Sequence, residues 1–194
     1  MNSEEKWEKK HKERLKTLKE PAPNVRLKNL APYFNGGSAL DLACGLGGNS
    51  LFLAEQGYTV EAVDLSVTAV NYVADQAEKL GLKVDASVQD LADFSGLPFA
   101  KNSFDLIVIS YYLDQQLFTY TKDLMKEGGY YFIETYFDSP NIRDRKVSGK
   151  FMLRPQELLD EFRAWQVLYF EENELEGRQT IFCRKDAIDE IRTS

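Results

Sequence analysis

Apart from a stripe of Trp7, His11, Leu15 and Leu18, spaced four, four and three residues apart, the first twenty residues are mostly charged. That stripe predicts an amphipathic helix over residues 3–20, stopped by Pro21, whose missing amide proton cannot continue it. A second short helix is expected over Val25–Tyr33. From there the pattern alternates between apolar runs and helical periodicity. A strand near 38–42 precedes a helix near 48–56 closed by Gly57, and a strand follows at 59–63. Ser66 is placed to cap a helix through Leu80, with Val70, Val73, Ala74, Ala77 and Leu80 on one face and Gly81 as its stop. Lys83–Val88 reads as a third strand. Ser103–Ser110 is nearly continuously apolar, as expected of a parallel strand covered on both faces. A helix near 114–126 should end at Glu127-Gly128-Gly129, before a fifth strand over Tyr130–Tyr136. A polar loop over 138–150, a helix over Arg154–Phe162 and a hairpin of Trp165–Phe170 with Gln179–Arg184 complete the pattern.

Length and charge narrow what this order can serve. At 194 residues and 43% hydrophobic content the chain fits one domain with a sizeable core and leaves no room for a second catalytic domain. A net charge of −7 disfavours broad contact with nucleic-acid backbones, which calls for clustered Lys and Arg. No apolar run reaches the roughly 20 residues of a membrane span, and the N-terminus MNSEEKWEKK lacks a signal-peptide core, so a cytoplasmic location is expected. Two cysteines and one histidine supply neither a disulfide framework nor a zinc set.

The chemistry concentrates in residues 39–49, ALDLACGLGGN, and in VEAVDLS, which carries Asp64 at the end of the next apolar run. A strand, a glycine turn and a helix start make a nucleotide site in outline, and an acid at the next strand's tip can take a ribose diol. Glycines at 45, 47 and 48 are expected to let backbone approach a ligand. A dinucleotide fingerprint would need a third glycine at position 50, where this chain has Ser50. Asp41, four residues before Gly45, would repel a pyrophosphate and favour a cation.

D-L-A-C-G-L-G-G-N resembles motif I of the class I S-adenosylmethionine-dependent methyltransferases, and V-E-A-V-D-L-S resembles the segment after it. The resemblance extends over about residues 36–184, since five βα units followed by an antiparallel hairpin is the order those enzymes use. It implies a Rossmann-like, doubly wound α/β fold with a seven-stranded sheet, mostly parallel with an antiparallel C-terminal hairpin. Residues 1–35 would form a helical cap over the cofactor site and 36–194 the methyltransferase domain. Within the superfamily the chain looks most like the small bacterial tellurite-resistance and thiol-methylating enzymes, many of which carry Arg at the position of Gly48 and Tyr at that of His11.

The resemblance assigns S-adenosylmethionine as cofactor and a small-molecule methyl acceptor. Asp64 would hold the ribose, with Leu65 beside it, and Asp41 would serve the methionyl end. Gly45 and Gly47 would form the turn, with the Gly45 carbonyl facing the amino group. Asp90 would accept from the adenine amino group, the Leu91 amide would meet the ring, and Ser110 would end the fourth strand at the ligand edge. Plainer readings stand beside these: a helix cap for Asp64, a structural cap for Asp41, a surface turn for Asp90 and an apolar filler for Cys44.

On the acceptor side, Tyr111, Tyr136 and Arg143 are substrate candidates, with Tyr112 and Asp114 nearby, and His11 and Tyr111 are candidate catalysts. Methyl transfer from a sulfonium needs little beyond near-attack positioning, so no triad is expected. SYYLDQQ stands where amine-methylating nucleic-acid enzymes often carry an acid or Asn followed by Pro-Pro and an aromatic. Two alternatives to a small-molecule enzyme remain: a methyltransferase acting on RNA or protein, docking on the basic stretch 141–150, and a non-enzymatic S-adenosylmethionine-binding module.

Overall fold

The computed structural model describes residues 2–17, 20–93, 96–141 and 151–186. Among them seven strands form one mixed sheet, in the order β3 (Val84–Val88), β2 (Tyr58–Asp64), β1 (Gly37–Leu42), β4 (Phe104–Ser110), β5 (Met125–Tyr136), β7 (Arg178–Arg184) and β6 (Gln166–Asn173), so the α/β class and the antiparallel C-terminal hairpin expected from the sequence are observed. The chain divides into two compact units, Met1–Pro98 and Phe99–Ser194.

The first unit opens with α1 (Ser3–Leu15), started by a capping box in which the Glu5 amide donates to Asn2 Oδ1 at 2.8 Å and the Asn2 amide to Glu5 Oε2 at 3.1 Å. It ends five residues before the predicted stop at residue 20. The Thr17 hydroxyl turns back onto the Arg14 carbonyl, and the Lys16 amide bonds that of Glu13 in a tighter turn. Leu18 lies outside the described residues.

The helix expected over 25–33 is divided into α2 (Val25–Asn29), capped by Asn24, and a single 3-10 turn at Ala31–Tyr33. Pro32 lacks the amide that an unbroken α-helix would need there. Next come β1 (Gly37–Leu42), α3 (Gly48–Glu55), β2 (Tyr58–Asp64), α4 (Val67–Leu80) and β3 (Val84–Val88). β2 pairs in parallel with both β1 and β3. The Ser66 cap and the Gly81 stop of α4 fall where the sequence puts them. Leu40, Leu42, Val60, Ala62 and Val73 are fully buried and form this unit's core.

The second unit contains β4 (Phe104–Ser110), α5 (Gln115–Leu124), β5 (Met125–Tyr136), α6 (Glu157–Glu161), β6 (Gln166–Asn173) and β7 (Arg178–Arg184). β4 runs parallel to β5, and β7 is antiparallel to both β5 and β6. Gly128 and Gly129 do not end a helix as expected. Phe104 pairs with Met125 and Leu106 with Tyr130, so Lys126–Gly129 bulges out of an already started strand. A Cβ on Gly129 would sit 2.5 Å from Met125 Sδ, which explains the glycine. α6 is shorter than the predicted Arg154–Phe162 because Gln156 adopts a left-handed backbone, φ 60°. Leu106–Ile109, Phe132, Ile133 and Phe182 are buried, as a strand covered on both faces requires.

Candidate functional site

The turn between β1 and α3 is held to the end of β2 by backbone and carboxylate together. The Cys44 amide donates to the Val63 carbonyl at 2.9 Å, and the Gly45 amide donates to Asp64 Oδ2 at 2.8 Å. Ala43, with φ 56°, is a non-glycine residue in the left-handed region, a strain that a well-determined surrounding must hold.

Two glycines in this turn are required by the protein's own packing. Gly47 has φ 77°, its amide donates to Cys44, its carbonyl accepts from Leu51, and an added Cβ would lie 2.5 Å from Val73 Cγ2. A Cβ on Gly48 would lie 2.2 Å from the Ala22 carbonyl oxygen, so the 21–24 segment crosses directly over the start of α3. Asn49 Oδ1 anchors that segment by accepting from the Asn24 amide at 2.8 Å.

Asp64 is 7% exposed, and its second oxygen, Oδ1, accepts from the Ser66 amide at 2.9 Å. The capping reading and the ligand reading are therefore compatible. One carboxylate ties the glycine turn to the start of α4 and still has lone pairs to offer.

Asp41 is 1% exposed; its Oδ2 accepts from the Ser50 hydroxyl at 2.5 Å, while Oδ1 has no hydrogen-bond partner among the described residues. Burial pushes its carboxyl up to about 7 against the pull of the Ser50 hydrogen bond, and the Asp64 charge adds to the rise. Ser50, where a dinucleotide fingerprint needs glycine, is thus the residue that steadies this acid. A buried carboxylate oxygen without a donor is costly unless a ligand satisfies it.

α1 packs over this turn. His11 is 2% exposed, stacks on Trp7, and places Nε2 3.9 Å from Asp64 Oδ1. Its Cε1 lies 3.4 Å from where a Gly45 Cβ would be, and its Nδ1 is buried without a hydrogen-bond partner among the described residues. Burial lowers the basicity of this imidazole; the Asp64 charge opposes that, and Arg14 and Lys10 reinforce it. Three residues earlier, Glu8 accepts from the Ser66 hydroxyl at 2.6 Å, from the Thr68 amide at 3.1 Å and from the Thr68 hydroxyl. Those hydroxyls hold its carboxyl down at about 2.

In the second unit, Tyr111 follows β4 in a left-handed conformation, φ 60°. Its amide donates to the Glu134 carbonyl and its hydroxyl to Glu134 Oε1, each at 2.7 Å. Glu134 is 1% exposed; Oε2 accepts from the Thr180 hydroxyl at 3.0 Å, and Arg178 Nη1 stands 3.9 Å from Oε1. The Arg178 guanidinium lies 4.3 Å from the Tyr111 ring centroid and 4.4 Å from that of Tyr136. Burial and the Glu134 hydrogen bond raise the Tyr111 phenol above its ordinary value, so it stays protonated.

Residues 39–129 match the family model of a methyltransferase domain. This segment, from β1 to the bulge in β5, thus resembles methyltransferase domains. Among curated methyltransferases it is 32% identical over 152 residues to phosphoethanolamine N-methyltransferase 1 of Arabidopsis thaliana, covering 75% of this chain and 29% of that one. It is 26% identical over 141 residues to a probable S-adenosyl-L-methionine-dependent methyltransferase, TehB, of Haemophilus influenzae, covering 69% and 48% respectively. A protein named hemagglutinin 1 of Eikenella corrodens is 31% identical over 171 residues, covering 84% of this chain and 53% of that one. The chain therefore spans between 29% and 53% of the length of these relatives. The crystal structure of TehB from H. influenzae shares the fold, with a TM-score of 0.75 and 22% identity over 91% of this chain and 67% of that one.

The methyltransferase match takes in Asp41, the glycine turn, Asp64, Asp90, Ser110 and Tyr111, and stops short of Glu134, Tyr136 and Arg178. Asp90 is exposed, and its Oδ1 accepts from the Ala92 amide at 2.9 Å, the geometry of a surface turn. The Leu91 side chain is buried and that of Leu65 half-buried. Ser110 ends β4, and Asp114 caps α5 through the Gln116 amide. Arg143 and most of the basic stretch lie outside the described residues. Cys44 is half-buried, and burial pushes its thiol well up, as suits a filler. Glu8, Glu134 and Arg178 escaped the sequence reading. Glu134 alone left a signal, as the single acid inside the apolar run YYFIETY.

Proposed function

We propose that the chain is an S-adenosylmethionine-dependent methyltransferase acting on a small-molecule acceptor in the cytoplasm, with residues 1–35 as a cap on its cofactor site. The observation that carries the cofactor reading is the buried Oδ1 of Asp41, without a hydrogen-bond partner among the described residues, beside the Asp64-pinned glycine turn. A cationic ammonium fits that acid, whereas a pyrophosphate would be repelled. The lining fits the group chemically: Asp64 for the ribose diol, the Gly45 carbonyl and Asp41 for the ammonium, and Asp90 with the Leu91 amide for the adenine. Leu65 and Ser110 are our further cofactor-binding candidates, and Gly47 holds the turn.

S-adenosylmethionine supplies a methyl carbon already activated by its sulfonium. The residues are left to orient, to exclude water and to keep the acceptor in line. His11, neutral at pH 7 through burial, walls the site at Asp64. Tyr111 and Tyr136, their rings gathered on Arg178, together with Arg143, are our acceptor-side residues. The small-molecule reading draws support from relatives named for phosphoethanolamine methylation.

Calorimetric titration with S-adenosylmethionine, its demethylated product S-adenosylhomocysteine and NAD tests the proposal. Micromolar binding of the first two with none of NAD is expected; silence from both overturns it. A screen of small thiol, amine and hydroxyl acceptors then reads turnover.

A further inference from the structure

A connected set of contacts runs from the first helix to the glycine turn. The Glu8 carboxylate accepts from the hydroxyl of Ser66 and from the amide and hydroxyl of Thr68, at the start of α4. Ser66 uses its hydroxyl oxygen to accept from the Ala69 amide at 3.2 Å, and its own amide donates to Asp64 Oδ1. Asp64 in turn accepts from the Gly45 amide. Glu8 and His11, three residues apart on α1, share a helix face. The first grips the start of α4 while the second lies over Gly45 and beside Asp64.

The position of that imidazole follows from the grip. α1 is only half committed to the protein by apolar contact, since His11 is its one buried residue among those described. Its other fixed point is the Glu8 cluster, in which three donors converge on one carboxylate whose charge also suits a helix N-terminus. Lys12 flanks the carboxylate at 3.0 Å on the solvent side and leaves those three bonds in place.

We propose that Glu8 is a positioning residue for cofactor binding: by clasping Ser66 and Thr68 it docks α1 so that His11 walls the ligand held on Asp64. The inference rests on the cofactor reading above. It makes α1 docking and cofactor occupancy mutually supporting, because a ligand that contacts the docked helix must stabilise it by the same factor by which docking strengthens the ligand.

The test uses the full chain and S-adenosylhomocysteine. Glu8→Ala should weaken its affinity about tenfold, the scale of lost charge-assisted bonds, with the circular dichroism spectrum unchanged. Glu8→Gln, whose amide can still accept from the Thr68 amide and donate to a hydroxyl, should recover part of that loss. In the wild-type protein the ligand should slow amide hydrogen exchange across α1, and in Glu8→Ala that slowing should vanish. A helix that merely stabilises the fold would exchange equally with and without ligand. Affinity within twofold of wild type in Glu8→Ala, or α1 exchange indifferent to ligand in the wild-type protein, overturns the proposal. If Glu8→Ala does not fold, Glu8→Gln is read in its place: weaker affinity and reduced ligand-induced slowing are expected, and wild-type values of both overturn the proposal. Failure of the wild-type protein to bind at all removes the cofactor reading and this inference with it.

Discussion

Nε2 of His11 lies 3.9 Å from Oδ1 of Asp64, so the lone imidazole of the chain rests beside the acid that pins the glycine turn. Asp64→Ala removes acceptors for both the Gly45 and the Ser66 amides. S-adenosylhomocysteine affinity should fall by more than about tenfold, and calorimetry reads it directly. His11→Ala should lower turnover and leave the far-ultraviolet circular dichroism unchanged; wild-type rates would return His11 to a packing role.

Asp41 gives a pH signature. Its carboxyl is raised to about 7, so the stability of the ligand-free protein should be greatest at low pH as far as this group is concerned, and should decline as pH rises through 7. A cationic ligand prefers the ionised acid. Affinity for S-adenosylhomocysteine should therefore rise with pH up to about 7, with proton release visible as buffer-dependent heats near pH 6. In Asp41→Asn both dependences should flatten.

Glu8 runs the other way. With its carboxyl held near 2 in place of 4.5, the docking it provides is present above 4.5 and is lost as pH falls through about 2. In a Trp165→Phe background, Trp7 emission should report that change over this acid window, and Glu8→Gln should remove it.

Gly47→Ala should destabilise the fold by about 2–4 kcal/mol in urea titration, combining a left-handed backbone with overlap on Val73. A change under about 0.5 kcal/mol, the scatter of ordinary surface substitutions, would mean the turn relaxes freely.

Tyr111→Phe deletes the hydroxyl that donates to buried Glu134. A loss of about 1–3 kcal/mol is expected, the scale of a missing donor to a buried charge, as an earlier thermal midpoint.

Much of the first unit was legible in the sequence because its signals are local. Ser66 and Gly81 bracket α4 by side-chain chemistry and backbone freedom that need no tertiary partner. Asp41, Gly45 and Asp64 are brought together by a short turn and a parallel pairing, so their spacing was informative. The glycines at 47 and 48 were legible as glycines but not in purpose, since Val73 and Ala22 approach them from separate elements. Glu8 sits in a run of charges where nothing singles it out, and its role depends on Ser66 and Thr68, some sixty residues away. Gly128-Gly129 read as a helix stop because composition cannot tell that from a bulge, which is decided by pairing with β4. Arg178 joins Tyr111 and Tyr136 through the antiparallel β5–β7 register, in which it pairs with Tyr136.

The approach of the Ala22 carbonyl to Gly48 bears on how this chain can be recombined. Leader and loop interlock like a key and its ward, with 2.2 Å left where a side chain would begin. A chimaera that grafts residues 1–24 onto an enzyme with arginine at the position of Gly48 would force the leader off its seat, taking the first helix with it. Successful grafts should exchange leader and loop together.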